Sequence, residues 1–332
     1  MTTPAPRPKP LTSTAVGDVM LDYLIDISPE RTPGSPLVNR CYFSPIRTAV
    51  AGLGYMFARY ARQSGFDRSV LIGAIGHSAT DPTTADFAGQ ITLDTMARDG
   101  IESRLAFVEE STGQVAMVFP EPRHRFIVAN SGANAMLGAE TVEMLDLSVL
   151  DETDVLFVSG YFLVKDAQRR AVQALMRRAR AAGALVVVDV VPHEIWQSVP
   201  SRDYLDWIAD ANSIMITNYT LFDHLGWDRA AAGWDAPDRL VTAGDLTSLL
   251  PQLELIVVVL NSKSDYLVVA RDGSLTFHAE HVPYKVSQTR DSMEVHAMVL
   301  AEYLKSGRRL DGLAAKLGED IVAPGAEGQA AQ

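Results

Sequence analysis

The sequence predicts an α/β protein in which a doubly wound parallel sheet lies between two layers of helices. Short apolar runs alternate with longer amphipathic stretches along most of the chain. Several of these runs are continuous Val, Ile and Leu, which is typical of parallel strands buried on both faces. This alternation indicates repeated βαβ units and therefore a three-layer α/β/α sandwich.

The predicted elements follow one another in a regular order. Strands are expected at Ala15–Met20, Ser69–Ile75, Val155–Val158, Ala184–Val188, Ser213–Ile216 and Leu255–Leu260. Helices are expected between them, at Val50–Ser64, Thr84–Asp99, Lys165–Ala182 and Ser292–Lys305.

Two regions interrupt this order. Residues 105–130 contain short strand-like runs joined by the turn signals Ser111-Thr112-Gly113 and Glu121-Pro122, and residues 22–43 show a similar scatter with Pro and Gly. One interpretation is a small antiparallel sheet that projects from the main domain as a lid. Long surface loops are the alternative, and the sequence leaves both open.

Composition limits the class of protein. The chain has 332 residues, 47% of them hydrophobic, which excludes a disordered or collagen-like protein. Its length allows two compact domains or one large α/β domain with an excursion. With 29 Lys+Arg against 41 Asp+Glu, the net charge is −12. This weighs against nucleic acid or an anionic membrane as the main partner, since both require clustered Lys and Arg.

The chain ends and the single cysteine add further expectations. Cys41 alone cannot form an internal disulfide or a cysteine-based metal site. No apolar run approaches the roughly 20 residues of a membrane helix, and the start has no apolar signal segment, so a cytoplasmic location is expected. Residues 1–10 and 323–332 are predicted to be disordered tails around one domain, 11–322.

Four short motifs appear in a fixed order along the chain. They are Val16–Asp22, Thr112-Gly113 with Gly132-Ala133-Asn134, Asp154–Tyr161, and Val188–Pro192 followed by Trp196. In order and spacing they resemble the ribokinase/PfkB family of carbohydrate and nucleoside kinases, from about Val16 to Lys305. The resemblance implies a ribokinase-like fold with a small β-sheet lid, ATP and Mg²⁺ as cofactors, and a homodimer formed through the lid.

The same resemblance assigns the substrate side of the site. It implies that Asp22 contacts a sugar, and that Gly52 and Met56 occupy the positions of a glycine pair and a sugar-binding Asn. Asn134 and Asp189 match further polar positions. A turn or cap role for Asp22, and structural roles for Asn134 and Asp189, are equally open. Asp18, by contrast, is expected to hydrogen-bond to nearby backbone.

The catalytic turn departs from the family pattern. The family's Gly-Ala-Gly-Asp, whose Asp is the general base, is matched by residues 290–293, which places Met293 at the base position. A thioether cannot accept the proton, and Arg290 and Ser292 replace both glycines. Asp291 is a candidate substitute base, and Arg290 could neutralise a phosphate. Alternatively, the two form a solvated contact on a degenerate loop.

The nucleotide side has changed as well. Asn218 retains the Asn of the family's Asn-x-x-Glu but Leu221 replaces the Glu, and Asn261 and Ser264 replace the glycines of a Gly-x-x-Gly. His296 lies one helical turn beyond Met293 and is a candidate nucleotide contact. No histidine spacing suggests zinc.

Three hypotheses for function follow. The first is an ATP-dependent sugar or nucleoside kinase with an altered active site. The second, which the lost base favours, is a pseudokinase that binds a ligand or a partner protein. The third is an enzyme that uses the sugar pocket for other chemistry. The sequence does not identify the sugar or nucleoside.

Overall fold

The fold is taken from a computed structural model of the chain. It describes residues 10–27, 41–121, 124–190, 201–217, 251, 253–260, 265–279 and 292–322. Apart from Pro10, the two predicted tails lie outside these residues. Within them, no helix is long and apolar enough to cross a membrane.

The large sheet contains ten strands in the described residues. They are β1 (Thr12–Val16), β4 (Arg68–Ser78), β5 (Asp81–Ala85), β6 (Glu102–Val108), β9 (Val155–Ser159), β10 (Leu185–Val190), β11 (Ser213–Thr217), β12 (Leu255–Val259), β13 (Asp265–Ala270) and β14 (Gly273–His278). Their order is β14-β13-β12-β11-β10-β9-β1-β4-β5, with β6 also paired to β4. The strands from β12 to β4, and β6, are parallel, whereas β5, β13 and β14 are antiparallel to their neighbours.

A second sheet, here called the small sheet, is separate from the first. Its strands are β2 (Met20–Asp26), β3 (Ile46–Ala51), β7 (Gly113–Glu121) and β8 (His124–Asn130), in the order β3-β2-β7-β8. The central pair, β2 and β7, is parallel and both outer pairs are antiparallel. The sequence-based expectation of a small second sheet is therefore confirmed, but the sheet is mixed and not purely antiparallel, because its two central strands run in the same direction.

Helices cover both faces of the large sheet. They are α1 (Leu53–Ser64), α2 (Phe87–Arg98), α3 (Ala139–Glu143), α4 (Asp166–Ala181), α5 (Ser201–Trp207), α6 (Ser292–Lys305) and α7 (Asp311–Leu317). Alternate residues of β9 and β10 face opposite sides, so Phe157 and Val187 pack with α1, α6 and α7, whereas Val158 and Val188 pack with α4 and α5. Two apolar cores result, and the predicted three-layer sandwich is confirmed.

The first strand differs from its predicted position. The sequence predicts Ala15–Met20, but β1 spans Thr12–Val16 and includes three polar residues. Their hydroxyls are satisfied inside the sheet: Ser13 bonds to Ser69 at 3.1 Å, and Thr14 to Thr153 at 2.6 Å. Because buried hydroxyls with partners carry little penalty, polarity did not prevent a buried strand here.

Two other boundaries also shift. Val50 and Ala51, predicted as the start of a helix, end strand β3, and α1 begins only at Leu53. Residues 102–108, which overlap the predicted lid region, form β6 and pair with β4 in the large sheet. The second contribution to the small sheet accordingly begins at Gly113.

Candidate functional site

Polar side chains gather where β1, β9 and β10 end, at the carboxyl edge of the parallel sheet. Ser159 ends β9 and lies directly opposite Asp189 of β10. By strand alternation both residues point to the side of the sheet that α1 covers. In open α/β sheets, ligands bind in the crevice outside this edge.

Asp18 lies at the bottom of this region and is buried. Its Oδ1 accepts a hydrogen bond from Ser159 Oγ at 3.0 Å, and its Oδ2 accepts one from the backbone N–H of Leu53 at 3.2 Å. Asp18 thus bonds to backbone as expected, but the partner is 35 residues away in sequence and not local. Burial raises the pKa of Asp18 above its ordinary 3.8, because desolvation outweighs the hydrogen bonds that favour the charged form.

The start of α1 passes very close to the end of β1. Gly52 precedes the helix with φ of 99°, a left-handed conformation that favours glycine. A Cβ there would clash with the carbonyl oxygen of Asp18, and a Cβ on Gly17 would clash with the backbone of Gly54. The backbone conformation and the lack of space thus require glycine at position 52, independently of any ligand. Met56 lies about one turn into the helix and is partly buried.

Asn134 holds the chain that leads from β1 into the small sheet. Val19 N–H donates to Asn134 Oδ1 at 3.0 Å, and Asn134 Nδ2 donates to the carbonyl oxygen of Val19 at 2.8 Å. Asn134 is 3% exposed. These bonds give Asn134 a structural role, and its predicted contact with substrate stays a prediction.

Asp22 lies on β2, in the small sheet, and not at the end of the first strand as its position in the motif suggested. It is partly buried and pairs with Ala49 of β3 and Val115 of β7. A carboxylate can accept hydrogen bonds from hydroxyl groups, and the contact of Asp22 with a substrate stays a prediction.

The charge of Asp189 acts on Tyr204, which packs in the core on the other face of the sheet. Burial, followed by the negative charge of Asp189, raises the pKa of Tyr204 well above its ordinary 10. Tyr204 on α5 also contacts Trp207 edge-to-face, with ring centroids 6.2 Å apart. The phenol therefore remains protonated at any physiological pH.

The first turns of α6 carry Met293 and His296, and both are buried at 3% exposure. Met293 belongs to the apolar core between α1, α6 and the sheet. The His296 ring lies edge-to-face on Tyr266, with centroids 6.0 Å apart, and neither ring nitrogen has a hydrogen-bond partner among the described residues. Desolvation lowers the pKa of His296 to about 3, so the ring is neutral near pH 7.

The remaining predicted residues lie outside the part of the chain that the structure describes. They are Arg290 and Asp291 of the catalytic turn, and Asn218, Asn261 and Ser264 on the nucleotide side. Among the described residues, no group of three or more His, Cys, Asp or Glu could hold a metal ion. The described residues thus include all those predicted on the substrate side, together with Met293 and His296.

Sequence reasoning missed two polar contacts. Ser159 stands inside one of the motifs, but nothing in its neighbours indicated that it would bond to Asp18, 141 residues away. The pair Asp86 and Thr112 was also missed, although Thr112 precedes the Gly113 that the family resemblance uses. The available signal was Asp86 at the start of a predicted helix, because Asp is a favoured N-cap residue.

The fold has clear counterparts among solved structures. A PfkB protein from Polaromonas sp. JS666 is 18% identical with a TM-score of 0.68, and the match covers 93% of each chain. Adenosine kinase from Sinorhizobium meliloti is 16% identical with a TM-score of 0.68, covering 93% of this chain and 92% of that one. Fructokinase with bound ATP from Xylella fastidiosa is 17% identical with a TM-score of 0.61, covering 92% and 84%.

These likenesses extend over nearly the whole chain. No family model matches the sequence, and no curated protein matches it. At this level of identity the structural matches show the fold alone, and that fold is the one of ribokinase-like sugar and nucleoside kinases.

Proposed function

We propose that this chain is a PfkB-type kinase-like protein that binds a sugar or nucleoside at the carboxyl edge of the sheet and has lost phosphoryl transfer. One observation carries the proposal. The position that the family resemblance gives to the general base holds Met293, which neither titrates nor faces solvent. Loss of a general base costs roughly 10² to 10⁴ in rate.

Binding itself needs only the substrate half of the site. Asp22, partly desolvated on β2, would accept hydrogen bonds from substrate hydroxyls, and a carboxylate can accept from two neighbouring hydroxyls at once. Met56, at the start of α1, supplies an apolar contact in place of a polar one, which suits a less hydroxylated ligand. Asp189, at the end of β10 and on the face that α1 covers, is another carboxylate at this edge.

The described residues do not by themselves fit ATP and Mg²⁺. His296 is buried and neutral, so it offers no charge to a phosphate. The described residues also lack a carboxylate cluster for Mg²⁺. Nucleotide binding would depend on Asn218, Asn261 and Ser264, for which the family resemblance is the support.

A kinase with an altered active site is the second candidate. In this version Asp291 acts as the base and Arg290 neutralises the phosphate. The fructokinase with bound ATP supports it, because that structure has the same fold over most of this chain. Asp291→Ala would then abolish turnover, whereas unchanged turnover would exclude Asp291 as the base.

A homodimer through the small sheet is part of the proposal. Its outer strands β3 and β8 expose apolar side chains, including Ile46, Phe126 and Val128. An edge strand with exposed apolar residues is a surface that proteins normally cover. A cytoplasmic location is proposed with it.

Calorimetric titration tests the proposal in two steps. D-fructose and adenosine are titrated first, and ATP is then titrated with and without Mg²⁺. We expect saturable binding of a sugar or nucleoside that Asp22→Ala abolishes and that Asp26→Ala, four residues further along the same strand, preserves. ADP release on mixing ATP with the bound compound would support the altered kinase instead. No binding of either compound, or equal loss in both variants, would overturn the proposed site.

A further inference from the structure

Asp86 joins helix α2 to the base of the small sheet. It is the N-cap residue of α2, and its Oδ1 accepts the backbone N–H of Gly89 at 2.7 Å. The same carboxylate accepts two bonds from Thr112: the backbone N–H reaches Oδ2 at 2.8 Å, and the hydroxyl reaches Oδ1 at 2.6 Å. A single side chain therefore satisfies three donors from two parts of the chain.

Thr112 is fully buried and connects onward to the large sheet. Its hydroxyl accepts the backbone N–H of Gly76, near the end of β4, at 2.9 Å. The carbonyl oxygen of Gly76 in turn accepts the backbone N–H of Asp86 at 2.9 Å. Gly76, Asp86 and Thr112 thus form a closed ring of hydrogen bonds between the two sheets.

The ring leaves no room for a larger residue at Gly76. A Cβ there would lie 2.5 Å from Thr112 N and 2.6 Å from Asp86 Oδ2. Glycine at this position lets β4 approach the carboxylate closely enough to complete the ring.

Strand β7 begins at the residue after Thr112, and β2 begins beside it. Gly113 pairs with Met20, and the parallel register continues to Asp22 opposite Val115. Val19, the residue before β2, is held by Asn134. The central strands of the small sheet therefore start side by side. The residue before β7 is hydrogen-bonded to the partly buried Asp86, and the residue before β2 is hydrogen-bonded to the buried Asn134.

We infer that Asp86 is a positioning residue: through Thr112 it fixes the start of β7, and through the β7–β2 register it fixes Asp22 at the carboxyl edge of the large sheet. The functional part of this inference rests on the proposed contact of Asp22 with substrate. The structural part concerns the ligand-free protein.

Asp86→Asn separates the two tasks of the carboxylate. Asn is as good an N-cap as Asp, so its oxygen can still accept the Gly89 N–H and keep α2 in place. Its Nδ2 is a donor, however, and would face the donating N–H of Thr112. The variant should therefore loosen the small sheet and spare the helix.

Native-state hydrogen exchange of the full, ligand-free chain measures this directly. We expect exchange in 113–121 and 20–26 to accelerate by about tenfold or more, the change produced by losing a hydrogen bond to a charged group. Exchange in 155–159 and 185–190 should not change. The matched control is Asp81→Asn, because Asp81 also accepts the N–H and hydroxyl of one threonine, Thr83, but in the β4–β5 hairpin.

A second variant keeps the test decisive. Thr112→Val removes the hydroxyl that bonds to Asp86 and Gly76, and its effect on exchange should be much smaller when Asp86→Asn is already present. Unchanged exchange in the small sheet of Asp86→Asn would overturn the inference, as would equal acceleration in both sheets. Absence of D-fructose and adenosine binding to the unaltered protein would contradict the proposed function and leave the exchange result standing.

Discussion

The amide of Asn134 binds both polar groups of the Val19 backbone, accepting its N–H at 3.0 Å and donating to its carbonyl oxygen at 2.8 Å. The backbone carbonyl of Asn134 accepts a third bond, from Gln168 Nε2 of α4, at 2.6 Å. Asn134 therefore connects the segment that precedes β2 to α4, which lies on the face of the large sheet opposite to α1.

Asn134→Leu should lower the free energy of unfolding substantially. The replacement has a similar shape but leaves the N–H and the carbonyl of Val19 unpaired in a buried place, at about 1–3 kcal/mol for each group. Urea denaturation measures the change. Asn130→Leu is the control, because Asn130 is exposed and accepts one bond, from Gly132 N–H at 3.0 Å. Equal losses in the two variants would show that the amide of Asn134 is not what holds Val19.

Asp18 should make the protein less stable as pH rises above 3.8. Its folded-state pKa is raised above 3.8 by desolvation, so the folded state holds the proton more tightly than the unfolded chain. The stabilising contribution is complete below pH 3.8 and is lost as pH rises through the folded-state pKa. Asp18→Asn removes this titration, so the stability of the variant relative to the unaltered protein should increase with pH.

Asp81→Asn is the opposite case and serves as the control. The hydrogen bonds from Thr83 lower the pKa of Asp81, so its contribution is present above pH 3.8 and lost as pH falls. Denaturation curves collected from pH 3 to pH 7 should give opposite trends for the two variants. Parallel trends would contradict the assignment for Asp18.

The sequence was sufficient to predict the layers of the fold, but not the polar contacts between its elements. Continuous apolar runs such as Val155–Val158 lie inside observed strands. A strand that is buried on both faces carries apolar side chains on both, so its apolar and polar residues do not alternate. Strand β1 was displaced in the prediction, because Ser13 and Thr14 are polar and their partners Ser69 and Thr153 are far away in sequence.

The location of the candidate site could be predicted from the sequence, but the contacts of its side chains could not. The order of motifs placed Asp18, Asp22 and Asn134 near one another, and Asp18 and Asn134 do meet around the Gly17–Val19 segment. Which of them holds backbone and which could hold a ligand depends on the path of the chain after β1. That path is set by close approaches at Gly17 and Gly52, which a sequence does not reveal.

His296 should limit stability in acid. Burial lowers its pKa to about 3 from 6.5, so the unfolded chain binds a proton that the folded protein excludes. The stabilising contribution is complete above pH 6.5 and is lost as pH falls toward 3, by about 1.4 kcal/mol per pH unit at most. His296→Phe should therefore shift acid unfolding to lower pH. His278→Phe, at an exposed position beside Asp265, is the control and should cause a smaller shift or none.

The exposed strand β8 should be necessary for the proposed dimer. Val128 is 63% exposed and Phe126 43% exposed on this edge of the small sheet. Val128→Lys introduces a charge that would lose its hydration in a contact with a second copy. We expect a dimer in light scattering for the unaltered protein and a monomer for the variant. Thr276→Lys, exposed on strand β14 of the large sheet, should remain dimeric, and a monomeric unaltered protein would contradict the proposal.

Met293→Asp distinguishes a lost base from a merely displaced one. Met293 is 3% exposed within the apolar core, so an Asp at this position would have to desolvate its carboxylate or remain protonated. We expect the variant to be less stable than the unaltered protein, and more so at pH 8 than at pH 5, because burial raises the pKa of a carboxyl group. Met298→Asp, at a partly buried position of the same helix, should be less destabilising.

Met293→Asp alone should release no ADP from ATP in the presence of D-fructose or adenosine. ADP release by the variant would mean that the position still faces the reaction and that only the residue had changed, which would contradict the buried position on which the proposed loss of transfer rests.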